Sequence, residues 1–178
     1  MTADALYSMP DDGYRYDLIK GELKRMSPAG GKHGIIIANL TAEIVQHVRH
    51  HNLGIVFGAE TGFKLESSPD TVLGPDIAFI RRDRIPAGEY SEKFWAMPPD
   101  LVVEVLSSGD SRREIQEKIQ TYLDTGVGSV WIIHVKKREV RVYRPNRDVQ
   151  IFPETAELTD ELLPEFRFQV SRIFDPRK

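Results

Sequence analysis

The chain contains no cysteine, which excludes a disulfide framework, a thiol nucleophile and any zinc or iron–sulfur site built on thiolates. That absence fits a reducing compartment, and a cytoplasmic location is expected. No hydrophobic run approaches the ~20 residues of a membrane-spanning helix. The opening MTADALYSMPDDGYRYDL has no basic segment followed by an apolar one, so no export signal is expected. There is no internal repeat, no low-complexity tract and no nucleophile elbow. SPAGGKHG carries glycines and a lysine but lacks P-loop spacing and the Ser or Thr that follows the lysine.

A large excess of either charge is missing too. Against 24 Lys and Arg stand 27 Asp and Glu, a formal net charge of −3, so nothing draws the whole molecule toward a polyanion. A nucleic-acid surface would have to be local. Three basic groups offer one: Arg81, Arg82 and Arg84; Arg112 and Arg113; and Lys136, Lys137, Arg138, Arg141 and Arg144. Charges gather at turns and solvated faces in any case, which is the plainer account of each group.

What is present is an ordinary globular composition, 40% hydrophobic and 29% charged over 178 residues, and a single domain spanning 1–178 is expected. GYRYDLIKGELKRM predicts two short strands around a Lys20-Gly21 turn. From Lys32 to about His51 the pattern is helical, with Ile37, Leu40, Ile44 and Val48 on one face and Asn52 to Gly54 as the stop. Strands are expected at Ile55–Gly58, Thr61–Leu65, Asp76–Ile80 and Leu101–Leu106. A second helix starts at a capping box, Ser111 with Glu114, buries Ile115, Ile119, Tyr122 and Leu123, and ends at DTGVG. SVWIIHV and EVRVYRP read as two more strands, and the Pro- and Glu-rich remainder as short strands and loops. Helix, strands, helix, strand predicts a mixed sheet flanked by helices.

PPDLVVEVLSS poses the central question, because Glu104 interrupts a run of Leu and Val. Both faces of that strand are apolar, so it is expected to be central and covered on each side. A carboxylate there needs a partner, since an unpaired buried ion costs several kcal/mol. Asp76, at the start of GPDIAFI, poses the same problem at a neighbouring strand end. Two acids converging on one divalent cation would resolve both. Taken singly, Asp76 as a strand-entry acceptor and Glu104 as a salt-bridge partner are the plainer readings. Lys118 shifts the balance, because it sits at the edge of the second helix's apolar stripe and either reaches the strand face or extends to water. Asp100 shares a face with Glu104 but lies about 13 Å along the same strand, too far to share an ion. Asp70, in SSPDT, is expected to accept local amides.

GPDIAFI, PPDLVVEVLSS, RREIQEKIQTYLDTGV and VWIIHV, in this order and after the opening YRYDLIKGELKRMSP and His33, resemble the Uma-type restriction endonuclease family of the PD-(D/E)XK nuclease superfamily. The resemblance covers nearly the whole chain. It implies a restriction-endonuclease-like three-layer α/β/α core with a central mixed sheet and an added N-terminal hairpin. It also implies a metal-dependent phosphodiesterase site with Asp76 and Glu104 as its acids. The superfamily's usual lysine, two residues after the second acid, is replaced here by Leu106. The family's helix-borne lysine corresponds to Lys118. Glu114 stands where Asp is more frequent in the family.

The expected function is therefore a Mg²⁺-dependent endonuclease, with Mn²⁺ as a possible substitute, acting on DNA. Asp76 and Glu104 would hold the ion, and Lys118 would orient or help deprotonate the attacking water. The sequence leaves the oligomeric state open, with a homodimer one arrangement that duplex cleavage, which needs two cuts, would suit. Glu43 and Glu22 are considered as a third acid but are expected at the surface. A noncatalytic nucleic-acid-binding or protein-binding domain on the same fold is the alternative, and a carboxylate-pair glycoside hydrolase is a distant third, at odds with Lys118. His47, His50 and His51 have helical spacing, but no zinc-protease acid accompanies them, and histidine suits a helix C-terminus. His33 is placed at a helix start, with substrate contact as the bolder option. Trp95 is a loop residue open to stacking, and Trp131 a core residue.

Overall fold

Leu101–Val105 and Ser129–His134 pair in parallel at the centre of the molecule. The computed structural model describes residues 1–26, 30–88, 90, 92–107, 109 and 111–175. In chain order the elements are α1 (Ala3–Tyr7), β1 (Arg15–Ile19), β2 (Glu22–Met26), α2 (Gly31–His50), β3 (Gly54–Phe57), β4 (Phe63–Glu66), β5 (Thr71–Leu73) and β6 (Ile77–Arg81). After them come β7 (Leu101–Val105), α3 (Arg112–Asp124), β8 (Ser129–His134), β9 (Glu139–Tyr143), β10 (Gln150–Pro153), β11 (Glu157–Asp160), β12 (Leu163–Gln169) and α4 (Ser171–Phe174).

The main sheet has six strands in the order β10-β9-β8-β7-β6-β3. Only β7 and β8 run parallel, joined by the α3 crossover, so the sheet is mixed. Leu101, Val103 and Val105 of β7 face a core shared with Ile36, Leu40, Ile44 and Val48 of α2 and with apolar residues of β11, β12 and α4. Val102, Val130 and Ile132 face Ile119 and Tyr122 of α3 on the other side. This two-sided cover explains why β7 is apolar at both parities. Each fully buried aliphatic side chain contributes roughly 1.5–3 kcal/mol.

The expected three layers are present, with differences of detail. In α2 the fully buried first position is Ile36, and Ile37 is only partly buried. The hairpin turn falls at Lys20 and Gly21, both with positive φ (49° and 81°), the backbone of a tight right-twisting connection. That hairpin does not stand alone. β1 also pairs with β5, and β5 with β4, giving an outer four-stranded sheet in the order β2-β1-β5-β4. The single strand expected at Thr61–Leu65 is thus the first arm of a second hairpin, with Ser67–Asp70 at its turn. α1, not expected from the sequence, is short and begins where the Thr2 hydroxyl accepts the Ala5 amide. Among the described residues no helix is long and apolar enough to cross a membrane.

α3 starts as expected. The Ser111 hydroxyl accepts the Glu114 amide at 3.2 Å, and the Glu114 carboxylate accepts from the Ser111 amide at 3.3 Å. This fixes the register of the helix over the sheet, and with it the direction in which Lys118 and Tyr122 project.

Candidate active site

The antiparallel ladder of β6 and β7 pairs Ile77 with Val103 and Ala78 with Val102. One step further in the same register, Asp76 stands opposite Glu104. Residues directly opposite share a face and feel each other's charge, and here the face is the one under α3. Instead of extending the ladder, Asp76 uses its carboxylate: Oδ2 accepts the Val105 amide at 2.8 Å.

α3 lies over this strand end and contributes two side chains one turn apart. Lys118 Nζ is 2.8 Å from Glu104 Oε1, and the Tyr122 hydroxyl donates to the same oxygen at 2.7 Å. Spacing of i and i+4 places both on one face of the helix. β1 contributes Asp17, whose Oδ2 is 3.3 Å from Lys118 Nζ and whose Oδ1 accepts the Gly74 amide at 3.1 Å. The first turn of α2 contributes His33, with Nε2 3.2 Å from Asp76 Oδ2 and Nδ1 buried without a hydrogen-bond partner among the described residues. Five elements thus converge on one point at the end of β7.

Burial dominates the electrostatics. It pushes the Glu104 carboxyl up; Lys118 pulls it back and Asp76 raises it again, leaving it at about 7. Burial works to lower the Lys118 ammonium, but Glu104 and then Asp17 outweigh it and keep the amine protonated above its ordinary range. The Tyr122 phenol is pushed well up, first by burial and then by the Glu104 and Asp17 charges, so it acts only as a donor. His33 is raised by its bond to Asp76, against an opposing effect of burial.

A cavity of about 490 Å³ opens over these groups, walled by the β1–β2 hairpin, α3 and the end of β7. Its lining includes six carboxylates (Asp17, Glu60, Asp76, Glu104, Glu114 and Glu117) against four Lys and Arg (Arg15, Lys24, Arg25 and Lys118). Three of those cations are already paired, Lys118 with Glu104 and Asp17, Lys24 with Glu114 at 2.9 Å and Arg15 with Glu60 at 3.5 Å. The Arg25 guanidinium stacks 4.0 Å from the Tyr14 ring centroid. The cavity alone is therefore a better host for cations than for phosphates.

The donor set suits a hard divalent ion. Lys118 and Tyr122 occupy Glu104 Oε1, and His33 and Val105 occupy Asp76 Oδ2, so each acid has its other oxygen without a hydrogen bond among the described residues. Among the described residues no three His, Cys, Asp or Glu side chains gather as a ligand set. Two carboxylates fit Mg²⁺ or Mn²⁺, because Mg²⁺ keeps several of its waters.

The structure brings together Asp76, Glu104 and Lys118, the three site residues expected from the sequence, and adds Asp17 and Tyr122, which the sequence reading passed over. The other candidates fall elsewhere. Asp100 sits at the opposite end of β6, where it accepts the Arg81 amide at 2.8 Å and pairs with Arg84 at 2.9 Å. Asp70 accepts the distant Ala3 amide at 2.7 Å and pairs with Lys64, not with local amides alone. Glu43 pairs with Arg172, and Glu22 is exposed on β2, so neither is a third acid here. His47 bonds the Pro164 carbonyl, and its ring and that of His50 each pack against His51.

Trp95 is partly buried: it packs edge to face against Phe57, ring centroids 4.8 Å apart, and exchanges backbone bonds with Gly62 and Lys64. Trp131 is core, and its indole donates to Asp160 at 2.8 Å. The basic clusters are largely neutralised where they stand, Arg113 by Glu117, Arg138 by Glu154, Arg141 by Glu139 and Arg144 by Asp160.

A mixed sheet between helices, with paired acids and a lysine at the end of its central strands, is the architecture of a nuclease-type α/β protein. A family model described as "Putative restriction endonuclease" matches residues 3–171, and the chain belongs to that family, Uma2. Among solved structures it is similar to "a putative nuclease belonging to DUF820 from Anabaena variabilis ATCC 29413". The two are 24% identical, the match covers 98% of this chain and 97% of that one, and the TM-score is 0.85. At that identity the likeness concerns the fold. No curated protein matches the chain.

Proposed function

We propose that the protein is a Mg²⁺-dependent endonuclease that hydrolyses DNA phosphodiester bonds, with Mn²⁺ able to replace Mg²⁺. The observation that carries this reading is the placement of Asp76 opposite Glu104 on one sheet face, with the Lys118 ammonium 2.8 Å from Glu104. Family membership supports a nucleic-acid substrate; the excess of acids in the cavity supports a cation as the group that lets a polyanion approach.

Asp76 and Glu104 would hold the ion through their remaining oxygens. The ion would supply Lewis-acid stabilisation of phosphorane charge and a more acidic water. His33 fixes the orientation of Asp76, and Tyr122 does the same for Glu104. Lys118 places a permanent positive charge where negative charge accumulates in the transition state, a preorganised interaction of the kind that contributes most to such catalysis. Because its amine stays protonated, Lys118 orients the attacking water and stabilises charge, and is not the group that removes the proton. Two copies acting on opposite strands would account for duplex cleavage.

Calorimetric titration with Mg²⁺ and Mn²⁺ tests the metal site directly, comparing wild type with Asp76→Ala and Glu104→Ala. Binding by wild type that is lost in both variants, together with relaxation of supercoiled plasmid, is the expected result. Absence of ion binding, or equal binding by all three, refutes it and leaves a noncatalytic binding domain on the nuclease fold.

A further inference from the structure

The Lys118 ammonium is held by two carboxylates from different layers: Glu104 of the central sheet at 2.8 Å and Asp17 of the outer sheet at 3.3 Å. One would be enough for a buried ion pair. Asp17 adds a further buried negative charge on the ammonium that Glu104 already holds, and burying charge without need is costly. Its side chain is only 6% exposed, and the Gly74 amide pins its other oxygen. With Glu104 ionised and His33 neutral, three carboxylates and one ammonium leave this cluster short of two positive charges, which is the charge of one divalent ion. If such an ion binds the other oxygen of Glu104, it weakens the hold of that carboxylate on Lys118 and repels the ammonium. Asp17 is the anion left to hold it.

We infer that Asp17 is a positioning residue, an anchor on the outer sheet that keeps the Lys118 ammonium beside the reacting centre once Glu104 is shared with a divalent cation. The inference rests on the nuclease reading and adds to it a role for the hairpin, which ties the outer sheet to the chemistry of the inner one. It also explains why the lysine can sit on a helix: a second sheet holds its tip from the far side.

The test follows the Lys118 ammonium by ¹H–¹⁵N NMR and plasmid cleavage by kinetics. In wild type, the protected ammonium signal should persist when Mg²⁺ saturates the site; its loss on Mg²⁺ addition overturns the proposal without recourse to any variant. Asp17→Asn keeps an oxygen for the Gly74 amide and removes the charge. It should lose the signal in Mg²⁺ and lower kcat by about 10- to 100-fold, the scale of a mispositioned group, with KM for DNA unchanged. In a Lys118→Met background, Asp17→Asn should have no further effect, because both act through one group. Multiplying losses, or an unchanged kcat for Asp17→Asn in an enzyme that cleaves, overturn the inference alone. A wild type that neither binds Mg²⁺ nor cleaves overturns the nuclease reading, and this inference with it.

Discussion

Replacing Glu104 with glutamine should stabilise the protein at alkaline pH, although it removes a central acid. The substitution keeps an oxygen for the Tyr122 hydroxyl and nearly the same volume while deleting the charge. In the unfolded chain this carboxyl loses its proton near 4.5; in the fold, burial, only partly offset by Lys118, holds the proton up to about 7. Between those values the native state binds more protons than the unfolded state, so wild-type stability falls as pH rises through the window and levels off above it. At ~1.4 kcal/mol per pH unit, the ionised form is about 3 kcal/mol worse than the protonated one. Glutamine imitates the protonated acid. Glu104→Gln should therefore exceed wild type by about 1–3 kcal/mol at pH 8, the lower figure if Lys118 misses its partner despite Asp17, and match it near pH 4.5. Urea unfolding of both proteins at pH 4.5, 6 and 8 measures this. A variant less stable at pH 8, or a difference independent of pH, would refute the claim that Glu104 is held protonated by burial.

In the proposed metal site a proton and an ion would compete for Glu104, so Mg²⁺ affinity should fall by about tenfold per unit below pH 7, and a flat calorimetric profile would remove Glu104 from the ligand set. Asp160 is a purely structural counterpart. It accepts from Ser129 Oγ at 2.6 Å, Trp131 Nε1 at 2.8 Å and Arg144 Nη2 at 2.9 Å. Asp160→Ala strands those donors and a largely buried guanidinium, and should cost about 3–5 kcal/mol in chemical denaturation while leaving cleavage per folded molecule unchanged. Gly54→Ala would put a Cβ 2.0 Å from the Ile80 carbonyl oxygen. β3 can only move away from β6, a loss of about 1–3 kcal/mol in the same assay; an unchanged midpoint would mean the strands are not paired in this register.

How far the site could be read from the sequence depended on whether each residue broke its local pattern. Glu104 and Asp76 were conspicuous because a charge within an apolar run demands a partner, and Lys118 because it borders a buried stripe. Asp17 broke nothing. In RYDLI it alternates with Tyr16 and Leu18 as a solvated residue on a surface hairpin would, and its burial comes from β5, which pairs Leu18 with Val72 fifty-four positions later in the chain. β5 itself is three residues, TVL, too short for periodicity to mark, so the outer sheet and the depth of Asp17 were lost together. Tyr122 was hidden by its ring: it fits the apolar stripe of α3, and only its spacing of four from Lys118 hinted that the hydroxyl would meet the same acid.

Pairing across strands is a different kind of information from periodicity. A pattern of period two fixes which face Glu104 takes, but a slip of one residue in the β6–β7 register would carry Asp76 out of step with it. What holds the register is spread along both strands and beyond them: Ile77, Phe79, Leu101 and Val103 packed against α2, the Asp76 carboxylate on the Val105 amide, and Asp100 clamping the Arg81 amide at the far end. Asp100, which cannot share an ion with Glu104, thus bears on the site all the same, by locking the other end of the ladder that sets Asp76 against Glu104. The geometry at one end of β6 depends on a purely structural acid at the other.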